Sequence, residues 1–538
     1  RLTATQREAR GWRSDVVHTR SPPDAAMAFY QFAAGERRNV LWVAVKRNGA
    51  NMNPYILCLY RLSLALCMLA QCDRCLAGDT IKRPNVIVIM TDNHGAWTLG
   101  CYGNPEIRTP NIDRLAAEGV QFNHAYANNA VCSPTRASFL TGLMPSQHGV
   151  HRFISGRVMW GPDAYSTIEE FKSLPEIFQE AGYTCGLVGK WHLGAHSKPQ
   201  EGFTYWLAKE DGHTPGFYND RIIENGKVRR EPSHLTPFWT RHARQFIKDN
   251  KEQPLFLYLA YNGPYSLGTA IMPEPTNRHA AYYADKPMTS FPRVVMHPWM
   301  YSPWQKPHVN NITSMRNTAS QISLIDDGVG EVMDELKQQG LDQNTLIVFL
   351  ADQGFAGGHG GFWGMGDHTR PLTARDQCMH IPLIVHQPGK IKAGVKSDHH
   401  VANYDVYPSL LNHLGLADKI PRSPERPGRN FAPVLRGEHV EWDDSVFYEF
   451  ENIRVIRTKD WKYVERIGDE RHELYDLQND PGESKNLIDD AAQHDMRQQL
   501  RARLAAFYKR YSDPKWDLWN GGDAKGGLLL GKEPYVKK

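Results

Sequence analysis

Short apolar runs alternate with helical patterns along most of this chain, and this alternation constrains its fold more than any other feature. The runs are rich in β-branched residues and indicate buried strands at 85–90, 185–189, 255–260, 345–350 and 381–385. Helical patterns lie between them, at 111–119, 174–181 and 319–339. Because strands that alternate with helices form βαβ units, we predict an α/β fold with a mostly parallel sheet covered by helices on both faces.

The end of the chain has a different pattern. A stretch rich in Pro, Arg and Ser at 418–430 is typical of a linker. Three short strand patterns follow it (SVFYEF, NIRVIRT and WKYVERI), and then a polar helical pattern at 488–510. We therefore predict a catalytic domain over 84–420 and a C-terminal subdomain over 431–538, built from a small antiparallel sheet and a helix.

The segment 52–77 has the anatomy of a signal peptide. Arg61 precedes an apolar run at 62–70, and Ala77 ends a sequence suited to cleavage. The run is too short to span a bilayer, although a buried helix or a membrane anchor is the alternative reading. We expect an exported protein, periplasmic or extracellular, without a stable membrane span. Residues 1–51 show no clean period, and we interpret them as an upstream extension without a fold.

The net charge of +4 does not indicate a nucleic-acid partner. Residues 1–51 hold nine Lys and Arg against four Asp and Glu, and 52–77 add one more positive charge, so 78–538 carries −2. The eight cysteines are equally uneven, because four of them lie between 58 and 75. The other four are too sparse for a disulfide scaffold.

Polar residues follow three of the predicted strands. Lys190 and His192 follow the strand at 185–189. Asp92 and Asn93 follow the first strand, and Asp352 and Gln353 follow the strand at 345–350. Ligands of α/β sheets bind beyond the carboxyl ends of the strands, and oxygen donors of this kind suit Ca²⁺ or Mg²⁺. Either pair taken alone would more often be a turn or a helix cap.

A Cys-Ser-Pro-Thr-Arg sequence lies between these two pairs. Pro134 suits the first turn of a helix, which places Cys132 at the positive helix N-terminus. An anion bound there would meet free N–H groups, and Arg136 would add a fixed positive charge. The alternative is a buried structural cysteine.

These residues resemble the type I sulfatase family. The sequence CSPTRASFLTG at 132–142 is similar to its modification signature, and NVIVIMTDN, TPNIDRLAAEGVQFNHAY, GKWHLG and DQGFAGGHG are similar to its other blocks, in the expected order. IRVIRTKDWKYV and ELYDLQNDPGESKNL resemble its C-terminal block, so the similarity spans roughly 84–490. The resemblance implies a large alkaline-phosphatase-like α/β domain, with a mostly parallel sheet sandwiched by helices, and a smaller C-terminal subdomain.

The resemblance also implies a set of functional residues. Cys132 would be oxidised to formylglycine (3-oxoalanine) by a sulfatase-maturing enzyme, and its hydrate would be the nucleophile. Arg136 would hold the hydrate, Lys190 would bind the sulfate, and His192 would deprotonate the second hydroxyl to release sulfate. The implied ligands of Ca²⁺, with Mg²⁺ as the alternative, are Asp92, Asn93, the modified Cys132, Asp352 and Gln353.

Two departures from the family affect the metal site. Asn93 stands where the family has an Asp, and Gln353 stands where Asn or His is common. Asp92, Asn93, Asp352 and Gln353 together carry −2 rather than −3, so we predict a weaker or altered metal preference.

Two further departures affect substrate binding and the leaving group. Tyr265 stands where the family usually has a His that protonates the leaving oxygen, and His368 is our leading candidate for a substitute. The family's sulfate-binding Lys near Pro371 is absent, and Arg370 is the nearest cation. Its alternative role is a surface charge.

We therefore predict a sulfuric ester hydrolase acting on a sulfated small molecule or glycan. The aromatic loop PWMYSPWQ at 298–305 could stack on sugar rings, although aromatic residues are more often core. A phosphonate or phosphate ester hydrolase on the same scaffold is the second hypothesis. A catalytically degenerate protein that binds sulfated glycans is the third.

Overall fold

The computed structural model describes residues 83–468, 471–532 and 535, and the backbone of two short strands nearer the N-terminus. These strands, β1 (Met27–Tyr30) and β2 (Val43–Lys46), pair antiparallel where the sequence analysis predicted no fold. The rest of the predicted extension and the whole predicted signal peptide at 52–77 lie outside the described residues.

Eleven strands form the main sheet. They are β3 (Asn85–Asp92), β4 (Val120–Tyr126), β5 (Thr184–Gly189), β6 (Tyr205–Lys209), β7 (Asp220–Glu224), β8 (Lys227–Glu231), β9 (Leu255–Pro264), β10 (Thr345–Ala351), β11 (His380–Ile381), β12 (Leu383–His386) and β13 (Val395–Ala402). The centre of the sheet, in the order β10-β3-β9-β5-β6, is parallel. The predicted buried strands are thus confirmed, and most of them are parallel neighbours.

Helices cover both faces of this sheet. They are α1 (Pro110–Ala117), α2 (Cys132–Thr141), α3 (Pro145–His148), α4 (Leu174–Glu180), α5 (Leu235–Asp249), α6 (Ala280–Tyr283), α7 (Ile312–Gln338), α8 (Asp376–Met379), α9 (Val406–His413) and α10 (Ala432–Leu435). Along β3, Val86 and Val88 are buried in one apolar cluster, and Ile87 and Ile89 in another. Successive strand residues point to opposite faces, so a strand that is apolar throughout requires a core on each side.

The strand predicted at 381–385 lies in the sheet, but it is not parallel to its neighbours. It is divided into β11 and β12 at Pro382, which has no N–H to donate. β12 pairs antiparallel with both β10 and β4. The hairpin of β7 and β8 adds antiparallel strands at the other edge, so the sheet is mixed although mostly parallel.

A second sheet lies near the C-terminus, as predicted. Its four antiparallel strands are β14 (Ser445–Phe450), β15 (Ile453–Thr458), β16 (Trp461–Arg466) and β17 (Glu473–Asp476). Helix α11 (His494–Tyr511) packs on this sheet, with the Phe507 ring stacked on Phe447 at 3.7 Å between ring centres. In the part of the chain that the structure describes, no helix combines the length and apolar character that crossing a bilayer requires.

Candidate active site

The polar strand ends singled out from the sequence meet at one point in the fold. Asp92 ends β3, Asp352 follows β10, and Cys132 is the first residue of α2. Carboxylate oxygens of the two Asp side chains and the Cys132 Sγ lie within 4.8 Å of one another, and all three residues are buried. The structure thus brings together the nucleophile candidate and both predicted carboxylate ligands.

The parallel register explains why the two carboxylates are neighbours. Ala351 of β10 lies opposite Thr91 of β3, so the next residue of each strand reaches the same edge of the sheet. The Asp352 N–H donates to the Thr91 carbonyl at 3.0 Å, and the Asn93 N–H donates to Asp352 Oδ1 at 3.2 Å. Asn93 has φ 59°, a left-handed conformation that Asn tolerates better than most residues.

Two buried cations balance the two carboxylates. Arg136 donates from Nε and Nη2 to Asp352 Oδ2, at 2.9 and 2.8 Å, and from Nη1 to the Lys190 carbonyl at 2.6 Å. Lys190 Nζ contacts Asp92 Oδ2 and lies 3.1 Å from Cys132 Sγ. Burial alone would lower the pKa of both cations, but the facing carboxylates outweigh burial and raise the pKa of each. Both side chains therefore remain charged beside the nucleophile position.

The same environment also raises the pKa of Cys132 and Asp352, and in these two groups a raised pKa favours the neutral form. Burial, and then the Asp92 charge, raise the pKa of Cys132 to about 12. Burial and Asp92 also raise the pKa of Asp352 to about 6. The Cys132 thiol is therefore protonated at neutral pH, which makes it a poor nucleophile as a cysteine.

Gln353 provides a test of whether this site fits a divalent cation. Its Nε2 lies 3.3 Å from both Asp92 Oδ1 and Cys132 Sγ, and it also contacts Asn93 Oδ1. A positively polarised N–H group thus lies where acceptor atoms converge, which is where a cation would be held. Rotating the amide by 180° would present Oε1 to the same point. The predicted ligand set therefore fits a hard divalent cation such as Ca²⁺ or Mg²⁺.

His192 lies beside this group, with one ring nitrogen free. Its Nε2 is 2.9 Å from the Ile154 carbonyl and must donate to it, whereas Nδ1 is buried without a partner among the described residues. Burial, and then the Lys190 charge, hold the pKa of His192 well below its usual value. The neutral ring therefore keeps a lone pair on Nδ1. Gly212 packs over this ring so closely that a Cβ there would lie 1.8 Å from Nε2.

A pocket of 390 Å³ opens above Cys132. Tyr265 and His368, both predicted from the sequence, line it together with His213, and Trp304 lies at its mouth with 64% of its surface exposed. The Tyr265 hydroxyl is 3.1 Å from His213 Nδ1. Sequence reasoning missed His213, because it lies in a loop without any motif and 52 positions before Tyr265.

Arg370 is placed differently from the other predicted residues. It does not line the pocket, and its Nη1 donates to the carbonyls of Asp367 and Thr369 at 3.0 and 2.7 Å. Its guanidinium lies over the exposed Tyr301 ring, 4.8 Å from the ring centre. The assignment of Arg370 as a sulfate ligand stays a prediction.

Oxygen ligands, a nucleophile position at a helix N-terminus and two buried cations define this site as that of a metal-dependent hydrolase of anionic esters. The sulfatase family model matches residues 84–416, and a model described as N-sulphoglucosamine sulphohydrolase, C-terminal, matches 369–510. The chain belongs to the sulfatase family. It is a sulfuric ester hydrolase with the alkaline-phosphatase-like fold, and the family implies a divalent metal and a formylglycine.

Curated relatives and solved structures agree with this family. The chain is 27% identical over 544 residues to an N-acetylglucosamine-6-O-sulfatase of Bacteroides thetaiotaomicron, covering 86% of this chain and 92% of the relative. It is 28% identical to the human N-acetylgalactosamine-6-sulfatase, covering 69% of each chain. A solved structure in complex with its substrate D-glucosamine-2-N,6-O-disulfate matches with a TM-score of 0.64 and 26% identity, covering 80% of this chain and 98% of that one.

Proposed function

We propose that this enzyme hydrolyses a sulfate ester of a sulfated saccharide, with Ca²⁺ as its metal, and that it is exported. The observation that carries the proposal is the arrangement of Asp92, Asp352 and Lys190 around Cys132 at the floor of an open pocket. Curated relatives with sulfated amino sugars in their names support the saccharide. The leader-like segment at 52–77 supports export.

Each polar side chain at the pocket floor has a distinct part in this reaction. A sulfate group attacked by the side chain at 132 comes within reach of Lys190 Nζ, which would orient it and offset its charge. Arg136 holds Asp352 and adds a fixed positive charge beside the nucleophile position. His192, whose Nδ1 has no hydrogen-bond partner among the residues that the structure describes, accepts a proton at that atom. When bound, the metal stabilises negative charge on the sulfate oxygens and activates the modified residue.

The pocket mouth favours a sugar as the substrate. Trp304 is exposed there, and the backbone N–H groups of Tyr301 and Ser302 donate to the His368 carbonyl at 3.0 and 3.1 Å. The aromatic loop is therefore attached to a wall of the same pocket. An exposed, anchored aromatic ring provides a flat apolar face on which the ring of a sugar can stack.

The experiment that tests this proposal compares substrates on protein co-expressed with a maturing enzyme. We expect mass spectrometry of the peptide around Cys132 to show conversion of the thiol to the aldehyde, and 6-O-sulfated amino sugars to be hydrolysed faster than aryl phosphate or phosphonate esters. Cys132→Ala should abolish activity, whereas Cys185→Ala removes another buried thiol and should retain it. Faster phosphate hydrolysis would favour the second hypothesis, and sugar binding without turnover the third.

The metal and the destination of the protein require separate measurements. Calorimetric titration of the metal-free enzyme should show stronger binding of Ca²⁺ than of Mg²⁺. N-terminal sequencing of protein recovered from the periplasm or the medium should begin directly after Ala77. Retention of the enzyme inside the cell would contradict export and leave the proposed reaction unaffected.

A further inference from the structure

The departing oxygen of a sugar sulfate needs a proton donor. An alkoxide is a far stronger base than a phenolate, so breaking the S–O bond without protonation is costly. We propose that Tyr265 delivers this proton and that His213 resupplies it. This inference rests on the proposed sulfate ester hydrolysis, but not on the identity of the sugar.

The position of Tyr265 is the first support. Its ring lines the pocket with Cys132, and Lys190 Nζ lies 5.4 Å from the ring centre. The Tyr265 N–H donates to the Asp92 carbonyl at 3.1 Å, which ties the residue to the end of β3. The phenol therefore belongs to the wall of the cavity in which an ester attacked at position 132 must place its leaving group.

The contact with His213 is the second support. A phenol holds its proton at neutral pH and is a weak acid by itself. His213 Nδ1 lies 3.1 Å from the phenol oxygen and can replace the proton as it leaves. The Phe153 ring packs edge-on against the His213 ring, with 5.0 Å between ring centres, and Asp211 Oδ1 accepts from the backbone N–H of His213 at 3.1 Å. The first contact orients the imidazole, and the second fixes the backbone that carries it.

The proton transfers balance. As the S–O bond breaks, the phenolic proton of Tyr265 passes to the leaving oxygen and yields the free alcohol. The neutral His213 imidazole then relays a proton: its Nδ1 gives a proton to the phenolate while its Nε2 takes one from solvent, so the ring stays neutral. His213 is accessible to solvent, so water can return a proton to it. Desolvation by the pocket, and then the Lys190 charge, lower the pKa of His213, so the ring is neutral between turnovers and acts as a relay.

His368 is less suited to this role, although it lines the same pocket. Its Nδ1 accepts the Met365 N–H at 3.0 Å, which requires the neutral form of the ring with the proton on Nε2. Asp367 Oδ1 lies 3.2 Å from the same nitrogen and favours the charged form, but burial outweighs it and lowers the pKa of His368. Because Nδ1 is occupied by this bond, the ring cannot take up a proton there as Nε2 gives one away, and donation from the neutral ring would leave an unfavourable imidazolate. The geometry therefore favours the Tyr265–His213 pair over the His368 predicted from the sequence.

The experiment is a leaving-group series on the matured, metal-loaded enzyme. For Tyr265→Phe and His213→Ala we expect kcat to fall about 100-fold on alkyl or sugar sulfates, and less than about 3-fold on 4-nitrophenyl sulfate, whose leaving group needs no proton. The double variant should lose no more than either single variant, because both residues serve one transfer. Tyr261→Phe, which removes a buried hydroxyl of β9 hydrogen-bonded to Thr240 of α5, should leave both rates unchanged.

Three outcomes would overturn the proposal. One is an equal loss on activated and unactivated esters, which would indicate a structural role. Another is a multiplicative loss in the double variant. The third is a leaving-group dependence that appears in His368→Ala and not in the two single variants. Because the series uses simple sulfate esters, the proposal can fail even when the enzyme is a sulfatase, and failure on sugars alone would count only against the proposed substrate.

Discussion

At the scale of single residues, Asn93 lowers the negative charge of the candidate metal site, because it replaces a carboxylate with a neutral amide. It follows Asp92 directly, and its amide oxygen contacts Gln353 Nε2. The side-chain amides of Asn93 and Gln353 are therefore hydrogen-bonded to each other, at a position where a more acidic site would have a carboxylate. Because the affinity of hard cations depends on the number of charged ligands, the site should bind its metal less tightly than one with a third carboxylate.

The corresponding prediction concerns Asn93→Asp. We expect about tenfold tighter binding of Ca²⁺, equivalent to about 1.4 kcal/mol, in calorimetric titration of chelator-treated protein. The metal-free variant should have a lower melting temperature, because a further buried carboxylate would face Asp92 and Asp352. Asn219→Asp is the matched control, since Asn219 is exposed and shares the positive φ, at 54°. Unchanged Ca²⁺ affinity would show that charge does not limit binding.

At the scale of elements, the loop between β6 and β7 positions groups that the central strands alone do not. Gly212 lies against the His192 ring, and the neighbouring His213 contacts Tyr265. Gly212 does not have a positive φ, so the requirement for glycine there arises from contact with His192 rather than from backbone strain. The loop therefore contributes to the site through packing.

Gly212→Ala should impair catalysis while the fold remains intact. A Cβ at this position would collide with His192 and displace it from the Ile154 carbonyl, so we expect kcat to fall about 100-fold. Gly216 lies in the same loop, and a Cβ added there would have no atom of the described residues within 4 Å, so Gly216→Ala should retain activity. Both melting temperatures should remain close to that of the unmodified enzyme. A Gly212→Ala variant with normal kcat would show that the position of His192 is not critical.

At the scale of the whole molecule, buried ion pairs join the C-terminal sheet to the active-site edge of the main sheet. Lys462 of β16 donates to both Asp376 and Glu483. Asp376 begins α8, and the carbonyls of Gln377 and Cys378 in that helix accept the N–H groups that follow Gln353. The second sheet thus supports the segment that carries two of the candidate metal ligands.

Lys462→Met should therefore destabilise the protein by about 3 kcal/mol, because two buried carboxylates lose their shared cation. Burial would raise the pKa of Asp376, but the charges of Arg457 and Lys462 outweigh burial and lower this pKa below its usual value. The ionised Asp376 therefore stabilises the folded protein above about pH 4, and this contribution is lost as the pH falls below about 4. Melting temperatures between pH 3 and 7 should show a shallower acid limb in the variant. Lys509→Met, on the exposed side of α11, should change stability by less than about 0.5 kcal/mol.

The sequence by itself determined the features that are local along the chain. Strand positions follow from apolar runs, and Cys132 lies at a helix start because Pro134 suits the first turn. Asp92 and Asp352 meet because parallel strands bring their carboxyl ends to one edge of the sheet. These properties depend on neighbouring residues and on one general rule of sheet geometry, so they could be predicted without coordinates.

Only the tertiary structure decided which distant side chains share the pocket. It made the strand predicted at 381–385 antiparallel to its neighbours, placed Arg370 on Tyr301 outside the pocket lining, and brought His213 against Tyr265. Each of these outcomes depends on the path of an irregular loop, and that path is selected by packing against residues far away in the sequence. Hydrophobic periodicity and short motifs do not predict such contacts, because the contacts form between residues that come together only when the chain has folded.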